Sequence, residues 1–138
     1  MFLNEYPQNK EQAMVEKETT LQEELADIDA RIKTLNDNVK AGKDLEEMHE
    51  DPRFVNVILE GYLEAEAKRI FGVLTDPSHH LKRDVMENLM DKLTSTRNIK
   101  QYFGTVLMNA AMAPEELETE EKYRKEVTEK YSITGSEG

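Results

Sequence analysis

Apolar residues in the N-terminal third of the chain recur at an alternating spacing of four and three positions. Because a helix turns once every ~3.6 residues, this spacing places them on one narrow stripe. The stripe consists of Leu21, Leu25, Ile28, Ile32, Leu35 and Val39. A stripe this narrow needs a second helix to cover it, supplied by this chain, by a second copy or by another protein. The pattern predicts a heptad-patterned helical arm over residues 11–42 and a protein interface along its stripe.

Glycine and proline predict where the helices begin and end. Gly42 is a natural stop for the arm. Asp51-Pro52 and Asp76-Pro77 each combine an N-capping acid with a proline at the first helical position. Each pair therefore predicts a helix start, because the carboxylate accepts from unpaired amides and proline lacks only a donor that would be idle.

Two further breaks are predicted in the C-terminal half. Thr94-Ser95-Thr96 is a run of poor interior helix formers, and Ala113-Pro114 repeats the proline signal without a capping acid. Strand signals are missing, since no alternating run rich in Val, Ile and Thr and no Asn-Gly or Asp-Gly turn occurs. The chain is therefore predicted to be all-α.

The predicted architecture is a small helical bundle of three to four helices over residues 43–112. The N-terminal heptad arm precedes it, and an acidic C-terminal helix over residues 113–131 follows. Residues 1–10 are expected to be a flexible lead and residues 132–138 a disordered tail.

Apolar density predicts which side chains fill the bundle. The helix that begins at Pro52 has apolar residues on more than one face, so it is predicted to be the most buried helix. Two methionine pairs follow at i, i+4 spacing, Met86 with Met90 and Met108 with Met112. Long apolar side chains usually turn inward, so core packing is the expected role, with an adaptable binding surface as the alternative.

Composition and charge narrow the functional classes. The 138 residues are 38% hydrophobic with a mean hydropathy of -0.74, which predicts long helices with much exposed surface. The net charge of -11 argues against gripping nucleic-acid phosphates or an anionic membrane surface. Residues 16–50 carry net -6 and residues 113–138 net -4, whereas residues 52–112 carry net +1. The acidity therefore lies in two arms around a nearly neutral body.

No residue pattern predicts an enzyme. The chain has no cysteine, which removes disulfides, thiolate nucleophiles and cysteine-type zinc sites. Glu46-x-x-His49 has the spacing of di-iron ligands, but such a site needs two such pairs, and neither His79 nor His80 completes one. Phosphate-binding glycine loops and nucleophile elbows are also missing. We expect no catalytic residue, no cofactor and no metal.

The N-terminal residues predict no export signal. They lack a basic region followed by an apolar stretch, and no apolar run approaches the ~20 residues that span a bilayer. An intracellular, soluble protein is the simplest expectation, with no membrane partner.

Short motifs stand out between residues 45 and 124. They are Asp51-Pro52-Arg53-Phe54, Val57-Ile58-Leu59-Glu60-Gly61-Tyr62, Glu66-Ala67-x-Arg69, Leu74-x-Asp76-Pro77 and Gln101-Tyr102-Phe103, followed by an acidic C-terminal helix. With these motifs the chain resembles a family of small helical proteins encoded in the structural gene regions of tailed bacteriophages. The resemblance implies a protein of the host cytoplasm during infection and then of the virion, with phage structural proteins such as the capsid as partners. It implies no enzyme activity.

Two functions are open at this point. The first is a non-enzymatic structural or assembly protein of the phage particle, which binds head or other particle proteins through helix–helix contacts or joins copies of itself through the heptad stripe. The alternative is an acidic regulator or inhibitor that binds a basic host surface, such as a polymerase or nuclease, as a DNA mimic. Neither function involves direct nucleic-acid binding.

Overall fold

A computed structural model describes the backbone of residues 10–136 and the side chains of residues 20–132. Every regular element in this range is helical, and the predicted all-α class is confirmed. The elements are α1 (Lys10–Glu50), α2 (Pro52–Phe54), a π-helix π1 (Val55–Glu66), α3 (Ala67–Thr75) and α4 (Arg83–Ser136). The predicted flexible lead lies outside the described residues except for Lys10, where α1 begins.

The elements α2, π1 and α3 follow one another without interruption over residues 52–75 and are called the middle helix. Its predicted start is confirmed, because the Asp51 carboxylate accepts from the amide of Arg53 at 2.9 Å and Pro52 is the first helical residue. The Arg53 guanidinium also donates to this carboxylate, at 2.9 Å. Its hydrogen bond, together with that of the amide, lowers the pKa of Asp51.

The π1 segment is a run of wider turns, in which each amide pairs with the carbonyl five residues earlier. Gly61 lies within it, and a Cβ there would stand 2.9 Å from the carbonyl oxygen of Asn56, five residues before. Because Gly61 has no side chain, the Asn56 carbonyl can occupy its position in the wide turn without a steric clash.

The second predicted Asp-Pro helix start is wrong. Asp76 ends α3, and its carboxylate accepts from the amide of Ser78 at 2.9 Å and from the Ser78 hydroxyl at 2.7 Å. This local turn occupies the carboxylate that would have capped a helix, and α4 begins only at Arg83. The hydrogen bond from the Ser78 amide lowers the pKa of Asp76.

The predicted helix stop at Gly42 is also wrong, because α1 continues to Glu50. Gly42 is buried, and a Cβ at this position would overlap the Cβ of Ala110 on α4. The glycine thus serves a close approach of two helices and not a helix end.

The breaks predicted at residues 94–96 and at Pro114 do not occur, since α4 runs through both. The hydroxyls of Thr94 and Ser95 donate to carbonyls four residues earlier, at 3.0 Å each, so these side chains bond within the helix. Pro114 follows Ala113, which is fully buried, and such packing stabilises a helix across a missing amide donor. Residues 132–136 of the predicted tail are helical, and residues 137–138 lie outside the described part.

The chain divides into two compact units. Unit 1 comprises residues 1–37 and 113–138, of which the structure describes the backbone of residues 10–37 and 113–136. In it the two segments of α1 and α4 run antiparallel, with Ile28 fully buried and Val127 4% exposed. Unit 2 is Asn38–Met112, which contains the middle helix.

Unit 2 has a small core. Its buried apolar side chains are Leu45, Leu63 and Ile70. The middle helix contributes the last two, yet it also leaves Val57 and Phe71 mostly exposed, so its predicted deep burial is only partial. A thin core with large apolar side chains on the surface is the feature that bears on function.

Candidate protein-interaction surfaces

The heptad stripe is covered within this chain. Ile28 and Leu35 are buried in unit 1, and Leu21, Leu25 and Ile32 are half-buried there. Among the described residues of unit 1, only the α4 segment can cover the stripe. The sequence alone did not show whether the covering helix belongs to this chain or to another, and in the structure it belongs to the same chain. An interface with another protein along this stripe stays a prediction.

Val39 is the member of the stripe that lies in unit 2, where it is 36% exposed. Ile28 and Leu35, in contrast, are inaccessible to a partner, because the two helical segments of unit 1 would first have to separate. The half-buried members offer a partner only their edges.

Two ion pairs join the helical segments of unit 1. Arg31 Nε donates to Glu120 Oε1 at 2.8 Å, and Arg124 Nε donates to Asp29 Oδ1 at 2.8 Å. From the first pair to the second, the residue number in α1 falls from 31 to 29 while the residue number in α4 rises from 120 to 124. The two segments therefore run antiparallel. The hydrogen bonds raise the pKa of both guanidinium groups and set the register, although partly exposed pairs add little stability.

Two tyrosines complete this polar contact. Tyr123 and Tyr131 both donate their hydroxyl groups to the carboxylate of Glu24, at 2.7 Å and 3.4 Å. The hydrogen bond to Glu24 raises the pKa of Tyr123, and burial together with the same carboxylate raises the pKa of Tyr131. Two of the polar contacts in unit 1 therefore depend on protonated tyrosines.

An open groove of about 380 Å³ lies along this contact. It is lined by Arg31, Thr119, Glu120, Lys122, Tyr123 and Glu126. Glu120 already pairs with Arg31 through Oε1, while its Oε2 is buried without a hydrogen-bond partner among the described residues. Charges of both signs line the groove and it is not enclosed, so it lacks the features of a small-molecule site.

His49 and His79 contact neighbouring groups of the same chain. The His49 Nδ1 donates to the carbonyl of Leu45 at 2.7 Å, and the ring packs edge-on against Phe54 and Phe103, with centroids 5.6 and 6.3 Å away. His79 lies in the exposed turn before α4, 3.7 Å from the Asp76 carboxylate. Within the part of the chain that the structure describes, no group of three or more histidine or acidic side chains is placed to hold a metal.

Unit 2 carries almost all of the exposed large apolar residues among the described residues. Thirteen large apolar residues are exposed, and twelve of them lie in unit 2, Tyr123 being the exception. The twelve are Val39, Met48, Val57, Tyr62, Phe71, Val85, Met86, Met90, Tyr102, Leu107, Met108 and Met112. These side chains make unit 2, and not unit 1, the candidate for an apolar interaction surface.

The core role predicted for the methionines of α4 is wrong. Met86, Met90, Met108 and Met112 are all exposed, because α4 is one continuous helix whose apolar residues occupy two faces. One face lies in the core of unit 2, and the methionines lie on the other. The sequence contains this information as an angle around the helix axis between the methionines and the core residues of α4. That angle can be read only when the helix is taken as continuous through residues 94–96.

Charge is distributed as unevenly as apolar surface. Of the 29 acids and 18 bases, unit 1 holds 17 acids and eight bases, net -9, and unit 2 holds 12 acids and ten bases, net -2. The nearly neutral unit is thus also the one with exposed apolar side chains, a combination that favours contact with another protein.

No helix in the described range is long and apolar enough to cross a membrane. No protein-family model, curated protein or solved structure matches the chain.

Proposed function

We propose that this chain is a non-enzymatic structural or assembly protein of a tailed bacteriophage particle, which binds another particle protein through helix–helix contacts. The observation that carries the proposal is the set of twelve large apolar side chains exposed on unit 2. The phage assignment rests on the motifs between residues 45 and 124 and on the family that they resemble.

The middle helix offers a partner its largest apolar side chains. Val57 in π1 and Phe71 in α3 are each 61% exposed, and Tyr62 in π1 is 37% exposed. Placing such side chains in water is unfavourable by about 25 cal/mol for each Å² of apolar surface, so a covering helix would gain this free energy. Aromatic side chains also dominate the energetics of protein interfaces.

Unit 1 has a different role in this proposal. Its stripe is closed by the chain's own α4 segment, and its net charge of -9 opposes association with other acidic surfaces. It therefore serves as a solvated arm, while unit 2 supplies the binding surface.

Mass spectrometry of purified phage particles tests the proposal. The chain should be present in particles of the phage that encodes it, and the double variant Val57→Ser with Phe71→Ser should reduce its copy number at least about tenfold, the effect of losing ~1.4 kcal/mol of binding. Both positions are exposed, so the variant should keep the helical circular dichroism of the wild type. Lys68→Ser, on an exposed position of the same helix, is the matched control.

Two results would contradict this proposal in different ways. Absence of the wild-type chain from the particles would remove the virion assignment. Equal incorporation of the wild type and the double variant would instead remove the middle helix as the binding surface.

An acidic regulator is the second candidate, favoured by the net charge of -9 on unit 1. Binding of a basic host protein through this unit would depend on charge, so its affinity should fall steeply between low and moderate salt. Binding through the apolar surface of unit 2 should change little over the same range. A titration against the candidate partner at both salt concentrations separates the two functions.

A further inference from the structure

All five methionines whose side chains the structure describes are exposed. Their exposed fractions lie between 40% and 57%, for Met48, Met86, Met90, Met108 and Met112. Methionine is ordinarily among the residue types most often found buried. The buried apolar side chains of unit 2 are leucines and an isoleucine, so the methionine side chains meet solvent and the core does not depend on them.

Four of these methionines lie on one face of α4. At ~100° per residue, Met86, Met90, Met108 and Met112 fall within a sector of about 80°. The half-buried Phe103 lies on the opposite side of the helix. This sector between residues 86 and 112 is called the methionine face.

Methionine supplies every large apolar side chain of the methionine face. The other residues of the sector are polar or small, and they are Thr94, Arg97, Gln101 and Gly104. A change of the four thioethers into polar groups would therefore leave this face without a large apolar side chain. The polarity of the face thus depends on the oxidation state of four sulfur atoms.

The thioether of methionine reacts with peroxides. Its sulfur attacks one oxygen of hydrogen peroxide, the O–O bond breaks, and the sulfur-bound hydroxyl loses its proton to the departing hydroxide, which leaves as water. The sulfur loses two electrons and the peroxide gains them. The sulfoxide that results is polar, and methionine sulfoxide reductases convert it back. The chain has no cysteine that would compete for the oxidant.

We propose that the methionine face is a reversible oxidation site, at which peroxide turns an apolar surface of unit 2 into a polar one while the fold stays intact. Oxidation of a buried methionine disrupts a core, but these four side chains lie outside it. A sulfoxide has no net charge, so the change alters the polarity of unit 2 and leaves the net charge of -11 as it is. The inference goes beyond the proposed function and does not rest on it.

Limited treatment of the full chain with hydrogen peroxide, followed by peptide mass spectrometry, tests the site. Susceptibility follows exposure, so Met90, Met108 and Met112, each more than half exposed, should gain oxygen before Met86. The fully oxidised chain should keep the helical circular dichroism and the urea midpoint of the reduced chain. A loss of helix content on oxidation would mean that peroxide damages the fold, and it would overturn the proposal.

The polarity of the surface is measured with anilinonaphthalene sulfonate, a dye that fluoresces on exposed apolar surface. Its fluorescence with the full chain should fall by about a third or more on oxidation, because the four methionines are four of the twelve large apolar residues exposed on unit 2. Methionine sulfoxide reductases should restore it. Unchanged fluorescence of the oxidised chain would contradict the proposed change of surface.

A quadruple variant keeps the face apolar but removes its sulfur. The protein with Met86→Leu, Met90→Leu, Met108→Leu and Met112→Leu should bind the dye as the wild type does and keep its fluorescence after peroxide. Met48→Leu is the matched control, because it removes an exposed methionine of α1 and should leave the oxidative loss as in the wild type. An equal loss in the quadruple variant and the wild type would show that the methionine face is not the site.

Discussion

At Gly42 the helix α1 approaches α4 within unit 2 so closely that a side chain would overlap the Cβ of Ala110. Gly72 offers a contrast, since it lies in α3 with no atom within 4 Å of the position that a Cβ would take. Glycine costs a helix roughly 1 kcal/mol relative to alanine. Substitution at Gly72 therefore tests helix propensity alone, whereas substitution at Gly42 also tests the packing against Ala110.

Gly42→Ala should destabilise the protein, whereas Gly72→Ala should stabilise it by up to about 1 kcal/mol. At Gly42 the overlap forces the helices apart, and overpacking of this kind costs about 1–3 kcal/mol, which exceeds the gain in propensity. Urea unfolding followed by circular dichroism measures both changes. Adding Ala110→Gly to Gly42→Ala should restore stability, and a Gly42→Ala protein as stable as Gly72→Ala would contradict the close approach.

Tyr123 makes the stability of unit 1 sensitive to alkaline pH. Its pKa is raised by the hydrogen bond to Glu24, so the folded state favours the protonated phenol. The resulting stability is fully present below the ordinary tyrosine pKa of about 10 and is lost as the pH rises through the raised value. A phenolate at this position would also repel the carboxylate that it faces.

Tyr123→Phe should therefore lose less stability than the wild type between about pH 8 and pH 11, a range that spans the ordinary tyrosine pKa. Thermal melts monitored by circular dichroism at the two pH values give the comparison. Glu24→Gln should reduce the alkaline loss in the same way, because it removes the negative charge and keeps an acceptor. An alkaline loss identical in all three proteins would show that this tyrosine does not control the transition.

Among the elements, the middle helix shows what sequence predicts well and what it does not. Its start was predictable, because Asp51 and Pro52 act locally through one amide and one fixed backbone angle. The π1 segment was not, since no residue type specifies a wide turn by itself. Gly61 was visible in the sequence, but its relation to the Asn56 carbonyl is a property of the folded backbone.

The wide turn predicts a response at Gly61 that ordinary helix propensity would not. Gly61→Ala should be less stable than Gly72→Ala by about 1 kcal/mol or more, because its Cβ must displace the Asn56 carbonyl while Gly72→Ala gains propensity freely. Urea unfolding of the two single variants gives the difference. If both variants gain equal stability, the segment follows ordinary α-helical turns and the Gly61 contact is unimportant.

The long helices fail the local rules for a common reason. Gly42 and Pro114 are helix-ending residues in isolation, yet α1 and α4 pass through them because packing stabilises the helix there. Gly42 packs closely against Ala110, and Pro114 follows the buried Ala113. The same continuity places the α4 methionines on an outer face. Sequence therefore predicted the helical class and the heptad stripe, while the identity of the exposed surface required knowing where the helices do not break.

At the scale of the whole molecule, charge and apolar surface lie in different units. Unit 1 carries net -9 and unit 2 net -2, so electrostatic repulsion among like charges acts mainly within unit 1. The ion pairs of unit 1 oppose this repulsion, but the side chains of Arg124 and Asp29 are 45% and 54% exposed. Pairs this exposed contribute little, so repulsion should dominate the response of unit 1 to salt.

Salt should accordingly stabilise unit 1 more than unit 2. The chain has no tryptophan, so Tyr131→Trp and Tyr102→Trp provide separate fluorescence reporters for the two units. Raising the ionic strength from about 0.01 M to 1 M shortens the screening length from roughly 30 Å to 3 Å. The thermal midpoint of the Tyr131→Trp protein should rise clearly over this range, and that of the Tyr102→Trp protein should change little.

Sucrose is the control, because it favours burial without screening charge and should raise both midpoints. A midpoint for unit 1 that falls with salt would mean that its ion pairs outweigh the repulsion, and midpoints that move together would mean that the two units unfold as one.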